Sequence, residues 1–296
     1  MNKLKTWREL IILAAIAAVL LLYIIYRTAG NINYELPVLQ QVDSESIDHI
    51  TIEGPDTSLD FTRQDEAWLI NPEGWIANQS MLKTITSAVA NLKPADLISS
   101  SGALSKYNLD ETQKFTVKIF SGSELQREIY VGKVSSSGIY TYVMFPGNKN
   151  IYSVRGDLPS RFGGQKSAMR EKQILSVPRD GILKMSMKTD DRVMTMFKDG
   201  SGIWHAEGRD DEVDSSIKAA IPMLSPLRCT GFLESLPASG FSWTIDIQTT
   251  EGNVLLEVWP ETAEGYPARS SQNGYPVLLT SYTTEKILET FGVVFE

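Results

Sequence analysis

The hydrophobic pattern begins with one continuous apolar run. The 17 residues from Leu10 to Tyr26 include no charged side chain. A helix of that length covers roughly 25 Å, which is just enough to cross the hydrocarbon core of a bilayer with help from its flanks. The run is apolar on every face, unlike a helix that packs one stripe against a soluble core. This pattern predicts a transmembrane helix within residues 1–30.

Basic residues flank the predicted span unequally. Lys3, Lys5 and Arg8 precede it, whereas no lysine or arginine lies between Arg27 and Arg63. Because positive charge stays on the cytoplasmic side, we expect a cytoplasmic N-terminus and an extracytoplasmic body. The alternative is a cleaved signal peptide, which has a shorter apolar region and small residues at its end. Large residues fill the end of this run, so the preferred interpretation is an uncleaved signal anchor.

Beyond the anchor, one pattern of strands and a helix occurs twice. Residues 47–70 form three short alternating runs, and a helical spacing follows from Asn78 to Leu92. Residues 182–206 repeat the three runs, before a second helix that is capped by Asp214 and contains Pro222. Alternating strands resume after each helix. The shared order predicts an internal duplication.

These elements predict an α+β fold with four parts. Residues 1–30 form the cytoplasmic tip and anchor, residues 31–165 the first α+β domain, residues 166–181 a linker and residues 182–296 the second domain. Each domain is expected to be a mostly antiparallel sheet with one main helix packed on it.

Composition excludes several classes of protein. The chain is 42% apolar, which is too much for a disordered protein and too little for a polytopic membrane protein. Its net charge of −8 argues against a nucleic-acid partner. The single cysteine, Cys229, excludes an intramolecular disulfide and is expected to be a small core residue.

The sequence predicts no catalytic residue. It lacks the H-E-x-x-H, P-loop, G-x-G-x-x-G and G-x-S-x-G motifs of zincins, nucleotide-binding proteins and serine hydrolases. Its two histidines, His49 and His205, lie in predicted strands, where we expect half-exposed structural residues. We therefore assign no catalytic, cofactor-binding or metal-binding residue and expect a protein that is not an enzyme.

Three groups of residues leave alternatives open. Four carboxylates could hold Ca²⁺, although Asp214 is preferred as a helix cap with acidic neighbours. A basic stretch could contact a partner or a phosphate, although a solvated linker whose arginines pair with carboxylates is preferred. Three tyrosines could bind a protein or a glycan, although packing across strands is preferred. The groups are Asp210, Asp211, Glu212 and Asp214; Arg161, Lys166, Arg170 and Lys172; and Tyr266, Tyr275 and Tyr282.

Short motifs resemble the domain-of-unknown-function 4340 family. They are Tyr107-Asn108-Leu109-Asp110, Tyr130-Val131-Gly132 and the segment from Met169 to Leu175. The family's usual first motif is Tyr-Gly-Leu, and here Asn108 replaces the glycine. Asparagine tolerates a left-handed backbone, so we expect the same turn.

The resemblance implies a function but no catalytic residues. Members are commonly anchored in a bacterial inner membrane and encoded beside gliding-motility-type ABC transporters. The implied function is a non-enzymatic, single-pass accessory or scaffold subunit with a periplasmic body, whose partners are the transporter's permease, ATPase and auxiliary extracytoplasmic subunit. No small-molecule ligand is implied. The alternative is a periplasmic glycan- or peptide-binding protein or hydrolase acting on the cell envelope, and a third reading is a spacer between envelope layers.

Overall fold

The computed structural model describes residues 3–29, 34–208 and 213–295. Within these residues the α-helices are α1 (Lys3–Ala29), α2 (Gln79–Ala90), α3 (Pro159–Phe162), α4 (Asp214–Leu224) and α5 (Ser281–Phe295). The strands of the first part are β1 (His49–Gly54), β2 (Thr57–Gln64), β3 (Ala67–Ile70), β4 (Trp75–Ile76), β5 (Pro94–Ser99), β6 (Phe115–Ser121), β7 (Glu124–Val134), β8 (Tyr140–Met144) and β9 (Ile151–Arg155). The later strands are β10 (Gln173–Leu175), β11 (Ile182–Thr189), β12 (Val193–Lys198), β13 (Trp204–Ala206), β14 (Leu227–Arg228), β15 (Gly231–Phe232), β16 (Trp243–Thr249), β17 (Gly252–Val258), β18 (Tyr266–Ser270) and β19 (Val277–Leu279).

The strands form mostly antiparallel sheets. One sheet has the order β4-β3-β2-β1-β6-β7-β8-β9-β5, and another has the order β13-β12-β11-β16-β17-β18-β19-β15. A small sheet pairs β10 with β14. The predicted α+β class with mostly antiparallel sheets is therefore confirmed.

Contacts divide the chain into two compact units: Met1–Ser58 with Ile85–Gly163, and Leu59–Thr84 with Gly164–Glu296. In the first unit, β1 and β6 run antiparallel with Ile50 opposite Ile119 and Ile52 opposite Val117. All four side chains are fully buried. They share one face of the sheet because alternate residues of a strand point to the same side.

The second unit has the same kind of core but two helices. Met185 and Met187 in β11 lie opposite Ile247 and Ile245 in β16. Residues of both α4 and α5 join this buried cluster, so the prediction of a single main helix is wrong for the second half. The helix α5 begins behind Thr280, whose hydroxyl accepts a hydrogen bond from the Thr283 amide, as in an N-cap.

The N-terminal helix α1 extends over 27 residues. The side chains described in it, Trp7 and residues 11–24, are all exposed to solvent. No helix in the described part of the chain is long and apolar enough to cross a membrane. The predicted span from Leu10 to Tyr26 extends at both ends beyond the side chains that the structure describes.

Candidate functional site

A buried arginine lies at the centre of an aromatic cluster in the second unit. The Arg170 Cζ atom lies 3.9 Å from the ring centre of Trp75, 3.7 Å from that of Phe232 and 4.5 Å from that of Tyr275. The side chain is only 5% exposed. A planar guanidinium stacks on aromatic faces, and this attraction strengthens when water is excluded. We call these four residues the Arg170 cluster.

Backbone pairing with residues 76 and 77 positions Arg170 in this cluster. Ala77 and Arg170 form an antiparallel bridge, and the Glu171 amide donates a hydrogen bond of 2.8 Å to the Ile76 carbonyl. Nearby, Lys166 pairs with Glu73 at 2.5 Å, and the pairing lowers the pKa of Glu73. In the basic stretch, therefore, a lysine pairs with a carboxylate, whereas the prediction assigned that pairing to the arginines.

Arg170 itself contradicts the prediction of a solvated linker arginine. Burial lowers the pKa of Arg170, and its Nε atom is buried with no hydrogen-bond partner. Three aromatic ring faces surround the positive charge. The sequence carried a signal for this environment in Trp75, Phe232 and Tyr275, but these residues are far apart along the chain.

Two motifs that carry the family resemblance pack against each other in the first unit. Asn108 has φ of 56° in the left-handed region, as predicted. A Cβ atom added to Gly132 would overlap the Tyr107 carbonyl oxygen and lie 2.9 Å from Leu109 Cγ. Glycine at position 132 therefore permits the close approach of two backbone segments. Both motifs serve the fold at this contact.

A second buried arginine, which the sequence did not single out, lines a cleft in the first unit. Arg127 in β7 is 8% exposed, and its Nη1 atom donates hydrogen bonds of 2.6 Å to the carbonyls of Val89 and Ala90. Its Nη2 atom donates to the Gln40 carbonyl. The guanidinium thus binds carbonyls at the C-terminal end of α2, where the helix dipole favours a cation.

The cleft has a volume of about 460 Å³. Its walls are residues 37–41 and residues 90–94, with Arg127 between them. Lys93 and Arg127 are charged, and none of the lining residues is acidic. We call this site the Arg127 cleft. Burial lowers the pKa of Arg127. In a chain with 36 acidic and 28 basic residues, the Arg127 cleft is a local concentration of positive charge.

The histidines do not form a catalytic triad in the described structure. Asp199 receives hydrogen bonds from the Ser201 hydroxyl at 2.7 Å and from His205 Nε2 at 2.8 Å. These bonds, first that from Ser201, lower the pKa of Asp199. Serine and histidine both contact the carboxylate, whereas a triad needs the hydroxyl to donate to the imidazole. His49 stacks on Phe120 in the first unit.

The acidic cluster lies largely outside the described residues. Asp210, Asp211 and Glu212 are not described, and the described residues include no group of three or more potential metal-binding side chains. Asp214 is the first residue of α4, and its carboxylate accepts from the Trp204 amide at 3.1 Å and from Lys218 at 2.6 Å. No side chain caps α4, so the predicted capping role of Asp214 is wrong.

The remaining candidates are mainly structural. Cys229 is 4% exposed, and burial raises the pKa of its thiol, which confirms a small core residue. Tyr266 and Tyr275 pack against the core of the second unit, in line with the prediction that these rings pack across strands. Tyr282 is 72% exposed and does not follow that prediction.

The profile of one protein family, Domain of unknown function (DUF4340), matches residues 68–242. This is more than half of the chain. The chain belongs to the DUF4340 family. No curated protein and no solved structure is significantly similar to it.

The DUF4340 match contains both buried arginines and both motifs at the Gly132 contact. The helix α1 precedes the match and α5 follows it. Within this DUF4340 chain, the residues that suggested the family build the Gly132 contact and the Arg170 cluster. The Arg127 cleft is a concave site whose lining combines the buried Arg127 with the exposed Lys93.

Proposed function

We propose that this protein is a non-enzymatic, membrane-anchored scaffold subunit of a gliding-motility-type ABC transporter, with its body in the periplasm of a bacterial cell. The observation that carries the proposal is the row of exposed apolar side chains from Ile11 to Ile24 in α1. Such a surface is stable in lipid but costly in water. The resemblance to anchored proteins encoded beside such transporters supplies the partners: a permease, an ATPase and an auxiliary extracytoplasmic subunit.

The proposed body contains two copies of one α+β domain. The strand orders support this duplication, because β4 to β1 are followed by β6 to β9 and β5, whereas β13 to β11 are followed by β16 to β19 and β15. The first order starts with four strands in reversed chain order and the second with three, and each then continues through four later strands before an earlier one. A scaffold with two similar bodies can present two related surfaces to its partners.

Anchoring is tested by fractionating cells that produce the full chain. The variant Ala17→Asp with Leu20→Asp places two carboxylates in the apolar run, at a cost of about 2.5–3.5 kcal/mol each at the centre of a membrane helix. We expect the natural chain in the membrane fraction after a carbonate wash and the double variant outside it. Ala17→Leu with Leu20→Ile keeps the run apolar and is the matched control. Release of the natural chain by the wash would refute the anchor.

Orientation is tested with a membrane-impermeant maleimide. The only natural cysteine is buried, so the background from Cys229 is low. A new cysteine at the exposed position Ser136 should react in intact spheroplasts if the body lies outside the cytoplasm. Labelling of Ser136→Cys only after cell lysis would contradict the proposed orientation.

Association is tested by affinity purification of the full chain from detergent-solubilised membranes. We expect the permease and the ATPase encoded beside it to co-purify in a fixed ratio. The alternative, a glycan- or peptide-binding protein or a hydrolase, predicts instead that the purified chain binds or cleaves envelope fragments without these subunits. Purification of the chain without either subunit would refute the transporter proposal.

A further inference from the structure

The Arg127 cleft combines a buried cation with unused hydrogen-bond donors. Arginine has five N–H donors, and the described contacts use two on Nη1 and one on Nη2. One donor on Nη2 and the donor on Nε remain. These two nitrogens are neighbours in the planar guanidinium, so a carboxylate that entered the cleft could bind both of them. The helix dipole compensates only part of the arginine charge.

The walls of the cleft are suited to an extended chain. Among the hydrogen bonds of the described residues, residues 37–41 contribute only the Gln40 carbonyl. Unpaired backbone groups of this kind can hydrogen-bond an added strand. Val38, at the rim, is 98% exposed and offers an apolar contact.

From these observations we infer that the Arg127 cleft binds an extended peptide segment of a partner protein, and that a glutamate or aspartate side chain of this segment forms an ion pair with Arg127. The backbone of the segment pairs with the backbone groups of residues 37–41. Lys93 at the rim adds to the attraction for negative charge. The inference rests on the proposed scaffold function for its partner, but binding and co-purification can fail independently.

The test uses the purified full chain in detergent and two acetylated, amidated pentapeptides. Their sequences are Val-Thr-Glu-Val-Thr and Val-Thr-Gln-Val-Thr, so they differ only in the charge of the central side chain. Isothermal titration should give a dissociation constant at least about tenfold lower for the glutamate peptide, which corresponds to about 1.4 kcal/mol. Equal affinity for the two peptides would overturn the ion pair, and no binding of either at millimolar concentration would overturn the site.

Surface variants keep the test independent of folding. Lys93→Glu and Val38→Asp change exposed residues of the rim, and each should weaken binding of the glutamate peptide about fivefold or more. Lys133→Glu makes the same charge change at an exposed position outside the lining residues and should leave binding unchanged. An equal loss of affinity in all three variants would indicate attraction by net charge alone and would overturn the inference.

Phosphate ligands serve as competitors in a final binding experiment. Glycerol 3-phosphate represents a lipid headgroup, and inorganic phosphate represents a free anion. We expect both to compete with the glutamate peptide only weakly, because neither has a backbone that can form the successive hydrogen bonds of an added strand. Competition by glycerol 3-phosphate at the same concentration as the peptide would assign the cleft to a lipid and overturn a peptide partner.

Discussion

Among the side chains that the structure describes, each unit contains one buried arginine, and these two arginines have opposite surroundings. Arg170 lies among three aromatic rings and is shielded from solvent, whereas Arg127 binds three carbonyls and lines a cleft. Ring faces hold a cation without offering it a second partner, while carbonyls at a helix end leave donors free on the open side. Burial of a charged side chain is therefore not by itself a sign of function. We propose that access for an anion distinguishes the two arginines.

The largest effect is expected at the Gly132 contact, which includes neither buried arginine. Gly132→Ala would force the Tyr107 carbonyl away from β7, and we expect about 3 kcal/mol or more of lost stability. Urea unfolding followed by tryptophan fluorescence measures this change. Gly240→Ala is the control, because a Cβ atom there would meet nothing within 4 Å. A Gly132→Ala variant as stable as the control would show that the two motifs do not need this contact.

The Arg170 cluster should give the next largest effect. Arg170→Ala removes the group between three rings and leaves a cavity, which we expect to cost about 2–3 kcal/mol. Arg170→Lys keeps the charge but loses the planar stacking, so it should restore only part of the stability. Full recovery with lysine would mean that charge rather than stacking holds the cluster together. Thermal unfolding of the three proteins at one pH separates these cases.

Arg127 should matter less for stability. Arg127→Met keeps the aliphatic length but removes the hydrogen bonds to the end of α2, and we expect a loss of about 2 kcal/mol. Hydrogen exchange of the last turn of α2 should rise in this variant. Unchanged protection of the Val89 and Ala90 region would mean that Arg127 does not stabilise the helix end.

Position 108 tests the left-handed turn of the first motif. Asn108→Gly should keep or slightly raise stability, whereas Asn108→Ala should lower it by about 1 kcal/mol because alanine is strained at positive φ. Equal stability of the two variants would indicate that the turn changes its backbone conformation. Differential scanning calorimetry is sufficient for this comparison.

The smallest effect concerns the exposed hairpin around Asp199. Hydrogen bonds from Ser201 and His205 lower the pKa of Asp199, so this carboxylate is more acidic in the folded chain than in the unfolded chain. Its contribution to stability is therefore complete above the ordinary pKa of aspartate, about 3.9, and is lost as the pH falls through that range towards the lowered pKa. Asp199→Asn should flatten the pH dependence of hydrogen exchange in β12 and β13 between pH 5 and pH 3. An unchanged profile would contradict this.

The sequence predicted local structure more completely than side-chain surroundings. Alternating apolar positions identified β1, β6, β11 and β16, and the replacement of glycine by Asn108 was read correctly as a left-handed residue. The Arg170 cluster could not be predicted, because its four members come from separate segments that only the folded chain brings together. The helix α5 was missed although Thr280 and the spacing of Ile287 and Phe291 indicate it.

The Arg127 cleft was missed for a different reason. Its lining comes from an irregular segment, a helix end and one strand residue, and none of these has a sequence motif. An arginine in an alternating strand is normally interpreted as a solvent-facing residue. Only the position of α2 shows that this one is covered by carbonyls.

The most direct test of the central claim measures Arg127→Lys and Arg170→Lys side by side, each for its unfolding midpoint in urea and for its affinity for the glutamate peptide. If Arg127 serves a ligand and Arg170 serves the fold, Arg127→Lys will weaken peptide binding about tenfold or more, because lysine lacks the paired donors. Arg170→Lys will lower the midpoint while the folded protein binds the peptide normally. Loss of peptide binding in a stable Arg170→Lys variant, with normal binding by Arg127→Lys, would contradict the assignment of the two arginines.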